Sequence, residues 1–169
     1  MAKEKSGDKK PADKKPQGDV TVAVNRRARF DYEIEDSLEA GLVLTGTEVK
    51  SLRRNDAQIA EGYAHLAAGP NGRVEAWLLN VHIAPYKEGG VFNVESRRKR
   101  KLLLRREQLQ RLMNSTKQKG YTLVPMKLYF TRGKAKLQIG LGKGRKHHDK
   151  RHAIEDRETK RDLRNATRE

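Results

Sequence analysis

The stretch that decides the fold is LVPMKLYFTRGKAKLQIGL, residues 123–141. Leu123–Phe130 is a mostly apolar run, and in Lys136–Leu141 every second residue is Leu or Ile. Such alternation is typical of a strand that buries one face. Arg132-Gly133 stands between the two runs, where a tight turn belongs. The stretch therefore predicts an antiparallel β-hairpin.

Short runs of the same kind predict further strands toward the N-terminus. They are Tyr32–Ile34 and Leu42–Leu44 on either side of a turn region at Glu35–Gly41, then Tyr63–Ala67 and Ala76–Ile83. Many short strands without a repeated strand–helix–strand order favour an antiparallel sheet over a parallel one.

Two short helices are predicted between these strands. Thr45–Glu48 has the pattern of a capping box, in which the Glu side chain reaches back to the first backbone amide of the helix. A second helix is predicted from about Arg105 to Lys119, because Leu109, Leu112 and Met113 form an apolar stripe. Gly120 follows, where a left-handed C-cap residue belongs.

These elements predict a mainly β protein with short helices, organised as an OB-type antiparallel barrel over residues 20–144. Residues 1–19 are expected to form a disordered tail, because they contain almost nothing apolar to bury. Residues 145–169 form a basic tail with opposite charges four residues apart. We expect it to be disordered when free and helical when a polyanion neutralises its bases.

The charge of the chain points to a polyanionic partner. The 169 residues include 38 Lys and Arg against 22 Asp and Glu, a formal charge of +16. Residues 97–106 contain seven bases and no acid, and residues 132–169 contain thirteen bases and six acids. This surplus favours nucleic acid as the partner over a membrane surface, since no basic helix carries a broad apolar face.

The composition also excludes several classes of site. The chain has no cysteine, which removes disulfides, thiolate catalysis and Cys-based zinc sites. No apolar run is long enough for a membrane span and the N-terminus lacks a signal-peptide core, so we expect a cytoplasmic protein. Gly140–Gly144 lacks the Lys-Ser/Thr of a nucleotide-binding loop. His148 and His152 have no fixed third ligand, so neither cofactor nor metal is expected.

The basic run Arg97–Lys101 is the best candidate for a binding site. Such runs are often solvated, or act as transport signals. This run leads directly into Leu102–Leu104, which ties it to the fold and predicts a ridge that neutralises phosphates. Aromatic residues are few, so recognition of the shape and backbone of a folded RNA is favoured over base stacking.

Several stretches together resemble the SsrA-binding proteins, also called small protein B. They lie in the family's order over roughly residues 20–152 and are Asn25–Arg29, Glu39–Leu44, Gly46–Arg53, Arg100–Leu104, Gly140–Lys146 and Asp149–Arg151. The resemblance implies an OB-type barrel without catalytic activity that binds the tRNA-like domain of transfer-messenger RNA. It also implies delivery of that RNA, with elongation factor Tu, to stalled ribosomes for trans-translation.

The resemblance and the basic run together predict two sets of site residues. The RNA-binding set is Asn25, Arg26, Arg27, Arg29, Glu39, Arg97, Arg98, Lys99, Arg100, Lys101 and Leu102. The tail set, implied to enter the empty mRNA channel and the decoding region, is Lys143, Arg145, Lys146, Asp149, Lys150 and Arg151. The predicted state is a monomer. A structural ribosomal protein and an enzyme acting on RNA are the alternatives left open by the residues alone.

Overall fold

A computed structural model describes residues 19–145. The strands are β1 (Val20–Val24), β2 (Tyr32–Leu42), β3 (Ala57–Gln58), β4 (Tyr63–Ala68), β5 (Val74–Leu79), β6 (His82–Ile83), β7 (Arg100–Leu103), β8 (Tyr121–Thr131) and β9 (Lys134–Gly144). The α-helices are α1 (Ala28–Asp31), α2 (Gly46–Arg53) and α3 (Arg106–Thr116), with a 3₁₀ turn at Gly90–Phe92. The predicted N-terminal tail up to residue 18, and the C-terminal tail from Lys146 onward, lie outside the described residues.

The predicted hairpin is confirmed as β8 and β9. Arg132 and Gly133 have φ values of 50° and 76°, and Thr131 pairs with Lys134. Two central residues with positive φ give a turn whose twist matches that of the flanking strands. In β9 the alternation buries Leu137 and Ile139, which are 0 and 1 % exposed.

The strands form one antiparallel seven-stranded sheet and a separate β3–β6 pair. Around the larger sheet β8 pairs with β4, β4 with β5, β5 with β7, β7 with β2, β2 with β9, and β9 with β8 again, while β1 adds to β8. The predicted mainly β, antiparallel class is confirmed. The main apolar core has among its most buried members Leu52, Ile59, Leu78, Leu123, Leu128, Leu137 and Ile139. A second, smaller cluster of Ala28, Val124 and Met126 packs α1 against β8.

The predicted turn at Glu35–Gly41 is wrong, because β2 runs unbroken from Tyr32 to Leu42. Its exposed and less exposed residues alternate, and a register shift between Ile34 and Asp36 accommodates the one irregularity. Of the polar residues in this segment, Glu35, Ser37 and Glu39 lie on the exposed side of the strand, and Asp36 is half-buried. The run Ala76–Ile83 is also divided, into β5 and β6, by Asn80 with φ 53°.

Both predicted helices are present, with one corrected boundary. The backbone N–H of Thr45 donates to Glu48 Oε2 at 2.8 Å, as the capping-box pattern predicted for α2. Helix α3 ends at Thr116 and is capped by Lys117, so Gly120 is not its C-cap residue. Gly120, with φ +95°, belongs to the turn that leads into β8. No helix within residues 19–145 is long and apolar enough to cross a bilayer.

A buried ion cluster joins α2 to β7. Arg100 has no exposed surface, and its Nε donates to Glu48 Oε1 at 2.8 Å. Its other nitrogens donate to the carbonyl oxygens of Val81, Ser96 and Arg98 at 2.7, 2.8 and 3.0 Å. Arg98 Nη2 donates to Glu48 Oε2 at 2.6 Å. Every polar atom of the Arg100 guanidinium therefore has a partner, which is the condition under which a charge can be buried.

Candidate nucleic-acid interface

A groove of 1340 Å³ lies between the outer faces of β2, β5 and β7 and the helix α3. Its walls carry six basic side chains and three acidic ones. The bases are Arg73, Lys101, Arg105, Arg106, Arg111 and Lys136, and the acids are Glu39, Glu75 and Glu107. The surplus of bases gives the groove a positive potential suited to a phosphate backbone.

The pleat of β7 divides the predicted basic run between the groove and the core. Lys101 and Leu103 point outward and line the groove. Arg100 and Leu102, which alternate with them, are 0 and 3 % exposed. The prediction of RNA contact through these two side chains is therefore corrected. Arg100 belongs to the ion cluster and Leu102 to the apolar core, because successive strand residues face opposite sides of a sheet.

The rest of the predicted run lies around the same wall. Lys99 is exposed, and its Nζ lies 5.6 Å from the centre of the Trp77 ring, while Lys101 Nζ lies 5.9 Å from it. Arg97 is exposed and donates to Asn80 Oδ1 at 2.9 Å. Arg98 is half-buried by its bond to Glu48. Lys99 is thus exposed on this wall, and Lys101 lines the groove with its Nζ 2.5 Å from Glu75 Oε1.

Glu39 lines the groove, and it has two protein partners there. Lys136 Nζ lies 2.8 Å from Glu39 Oε1, and the Tyr129 hydroxyl donates to Oε2. These hydrogen bonds hold the pKa of Glu39 below its ordinary value. Burial, together with the bond to Glu39, raises the pKa of Tyr129 to about 12. Glu39 is therefore ionised at neutral pH and fixes the position of Lys136.

Asn25 is 6 % exposed, and its side chain forms hydrogen bonds with the backbone around it. Its Nδ2 donates to the Pro125 carbonyl at 3.0 Å, and its Oδ1 accepts from the N–H groups of Arg27 and Ala28 at 3.2 and 3.1 Å. These bonds start α1 and hold it against β8. Asn25 therefore shapes the loop that leads into α1, and its own amide atoms are already engaged within the protein.

The exposed side chains of Arg26, Arg27 and Arg29 surround α1 at one end of the molecule. The root of the C-terminal tail lies at the same end, because the Arg145 N–H donates to the Asp31 carbonyl at 3.0 Å. Lys143 is exposed beside it. The other predicted tail residues, Lys146, Asp149, Lys150 and Arg151, lie outside the described residues.

The predicted RNA-binding residues therefore fall into two places rather than one. Tyr32, next to α1, and Glu39, in the groove, are seven residues apart on β2, roughly 23 Å along the strand. Sequence reasoning missed the groove residues contributed by other elements, which are Arg73, Arg105, Arg106, Arg111 and Lys136, and the aromatic residues that contact its walls, Trp77 and Tyr129. Arg105 and Arg106 could have been found as two bases at the start of a predicted helix. For the others, no pattern in the neighbouring sequence indicates that they line a site.

Comparisons with known proteins agree with one another. A family model described as SmpB protein matches residues 22–169. The SsrA-binding protein of Thermobifida fusca (strain YX) is 50% identical over 168 residues, covering 99% of this chain and 98% of the relative. That of Anaeromyxobacter sp. (strain Fw109-5) is 52% identical over 147 residues, covering 87% and 86%.

A solved structure described as "tmRNA-SmpB: a journey to the center of the bacterial ribosome" also matches this fold. The TM-score is 0.60 at 46% sequence identity, with 78% of this chain and 93% of that chain covered. The two chains are therefore alike in sequence as well as in the arrangement of their strands.

Proposed function

Because the chain belongs to the SmpB family, we propose that it binds transfer-messenger RNA, the SsrA RNA, and delivers it to stalled ribosomes for trans-translation. The observation that carries this proposal is the groove, whose six bases stand on β7, β9, helix α3 with its N-cap, and the turn before β5. The proposed role is that of an adaptor, in which the protein positions RNA and catalyses no reaction. It would work in the cytoplasm, where ribosomes are.

The groove suits a folded RNA better than a free strand. Its bases come from four separate elements, so their spacing is set by the fold and can match phosphates that are brought together by RNA tertiary structure. Glu39 keeps Lys136 directed into the groove by an ion pair. We propose Lys99, Lys101, Arg105, Arg106 and Lys136 as phosphate contacts for the tRNA-like domain.

We further propose that the six cyclically paired strands form an OB-type barrel. The ring of pairings through β8, β4, β5, β7, β2 and β9 supports a closed wall, and β4 meets β8 through the single pair Ala64 and Leu123. A wall of this kind holds the groove residues in fixed positions. The proposed division of the chain is a tail over 1–19, the barrel over 20–144 and a basic tail over 145–169.

The end of the molecule around α1 is proposed to face the ribosome together with the C-terminal tail. Arg145 follows β9 and is bonded to Asp31, the last residue of α1. Arg29 belongs to that helix and Arg27 is its N-cap residue, so the basic character of this end continues into the tail. Lys143, Arg145, Lys146, Asp149, Lys150 and Arg151 are the proposed contacts in the decoding region and mRNA channel. Elongation factor Tu is the proposed companion during delivery.

A chain truncated after Gly144 should bind transfer-messenger RNA with nearly the parent affinity but fail to tag peptides on stalled ribosomes. The reason is that the groove and the apolar core lie wholly within residues 20–144. RNA binding is measured by filter retention and tagging by a reconstituted stalled-ribosome assay. The matched control replaces Asp149, Lys150 and Arg151 by alanine in the full chain and should reproduce the tagging defect.

Two outcomes would count against this division of labour. Loss of RNA binding on truncation would place the primary RNA site in the tail. Retention of tagging would remove the tail from the mRNA channel. Sequencing the RNA that co-purifies with the chain separates an adaptor, which carries transfer-messenger RNA, from a structural ribosomal protein, which carries ribosomal RNA alone.

A further inference from the structure

Val91 and Phe92 form an exposed apolar pair on the loop between β6 and β7. They are 93 and 80 % exposed, more than any other large apolar residue within residues 19–145. Exposing a phenylalanine this fully forgoes the stabilisation that burying it would give. The pair lies outside the groove and outside every set of residues predicted from the sequence.

The loop that carries the pair has a defined conformation. Asn93 brackets Tyr86, accepting from its N–H at 3.0 Å and donating to its carbonyl at 2.9 Å. The Gly89 N–H also donates to the Tyr86 carbonyl at 2.9 Å, and the Phe92 N–H donates to the Gly89 carbonyl at 2.9 Å. Thr47 Oγ1 donates to the Phe92 carbonyl at 3.3 Å, which ties the loop to α2. Phe92 is therefore held out toward solvent by the structure beneath it.

Two cations lie over the ring of Tyr86, the residue to which the loop is bonded. Lys50 Nζ lies 5.1 Å and the Arg54 guanidinium 4.7 Å from the centre of the Tyr86 ring, within the range of a cation–π contact. Lys87 is exposed next to them. The nearby acid, Glu88, pairs with Arg54 at 3.4 Å, and both side chains are largely exposed. A pair this exposed is weak, so a phosphate can compete for Arg54.

This patch lies at the opposite end of the molecule from the root of the tail. Arg145 is bonded beside Tyr32 at the start of β2, whereas α2 follows the end of the same strand at Leu42. Ten residues of strand separate these ends by roughly 33 Å. An RNA that engages the α1 end therefore reaches this loop only by spanning the length of the barrel.

We propose that the Gly90–Phe92 loop is a second RNA contact, where an unpaired nucleobase stacks on Phe92 and adjacent phosphates meet Lys50, Arg54 and Lys87. Charge complementarity favours this occupant, since Lys50 and Arg54 lie over the ring of Tyr86, the residue to which the loop is bonded, and the nearby acid, Glu88, is shared with Arg54. Stacking on an exposed aromatic beside cations is how proteins bind unpaired bases without reading their sequence. The proposal goes beyond the binding of transfer-messenger RNA in the groove.

The test uses tryptophan emission as a local reporter. The chain contains one tryptophan, so the full-length double variant Trp77→Phe/Phe92→Trp reports from position 92 alone. Titration with a 12-nucleotide oligoadenylate should quench this emission saturably, whereas a 12-base-pair RNA duplex should not. Adding Lys50→Ala/Arg54→Ala should lower the slope of log K against log salt by about 1.4. In the otherwise parent chain, Phe92→Ala should weaken oligoadenylate binding about 5- to 100-fold.

The matched control removes two bases elsewhere, Arg53→Ala/Lys134→Ala, and should leave the quenching midpoint close to that of the reporter variant. Circular dichroism confirms that every variant is folded. The proposal is overturned if the emission at position 92 stays constant while anisotropy of labelled oligoadenylate shows binding. It is also overturned if the emission changes only with ribosomal proteins stripped of RNA, which would identify a protein as the occupant. Neither result bears on the groove, which is tested with transfer-messenger RNA.

Discussion

Replacing Glu48 by alanine is expected to lower the free energy of unfolding by about 3–5 kcal/mol. The side chain of Glu48 is 4 % exposed and is shared by Arg98 and the fully buried Arg100. Without the carboxylate, Arg100 keeps its carbonyl partners but loses its counter-charge in a place that water does not reach. An uncompensated buried charge is among the few single changes that cost this much.

The measurement is urea unfolding of the Glu48→Ala variant beside the parent at neutral pH. The matched control is Glu61→Ala, because Glu61 is 74 % exposed and lies 3.8 Å from Arg97. Such an exposed pair contributes about 0–1 kcal/mol. Equal midpoints for Glu48→Ala and Glu61→Ala would show that the cluster does not stabilise the fold.

The same cluster predicts a pH dependence. Burial opposes ionisation of Glu48, but the hydrogen bonds from Arg98 and the Thr45 N–H, with the charge of Arg100, outweigh it and set its pKa below the ordinary 4.5. A carboxyl whose pKa is lower in the folded state contributes stability that is complete above its ordinary pKa and is lost as pH falls through the folded value. Glu48→Gln should therefore flatten the loss of stability below pH 4.5. If Glu48→Gln loses stability below pH 4.5 as steeply as the parent, the loss comes from other carboxylates.

Replacing Arg105 and Arg106 by glutamate is expected to weaken binding of transfer-messenger RNA on the order of 100-fold at physiological salt. Both side chains are exposed and line the groove. The change removes two phosphate contacts and places two negative charges against the backbone. The slope of log K against log salt should fall by roughly 1.4–1.8.

This double variant separates binding from folding because of where the two residues lie. Arg105 is the N-cap of α3 and Arg106 its first residue, and negative charge at a helix N-terminus is favourable. The midpoint temperature of thermal unfolding should therefore be unchanged or slightly higher. The control Arg53→Glu/Lys134→Glu makes the same change in net charge outside the groove. RNA affinity reduced equally by both variants would show that net charge, and not the groove, governs binding.

Local signals explain what could be predicted from the sequence. The β8–β9 hairpin and the start of α2 were foreseen because each depends on residues close together in the chain: a two-residue turn, an alternation, a capping box. The turn predicted at Glu35–Gly41 failed for the opposite reason. Those polar residues belong to a strand whose exposed face is set by its neighbours β7 and β9.

The site was only partly predictable because it is assembled across the chain. The run of bases from Arg97 to Lys101 was identified, but its pleat sends Arg100 into the core and Lys101 into the groove. The carboxylate that neutralises Arg100, Glu48, lies 52 residues away in sequence. Lys136, which faces Glu39, comes from β9. No pattern within one segment reveals such partners.

Site-specific crosslinking at Leu103 tests most directly whether transfer-messenger RNA occupies the groove. Leu103 lines the groove and is 55 % exposed, and Val20, on β1 outside the groove, is 54 % exposed and serves as the matched control. A photoreactive phenylalanine analogue is placed at either position in the full chain, and the RNA crosslinked in cells is sequenced. The proposed function predicts transfer-messenger RNA as the main product at Leu103 and little at Val20. Equal yields at both positions, or ribosomal RNA alone at Leu103, would contradict it.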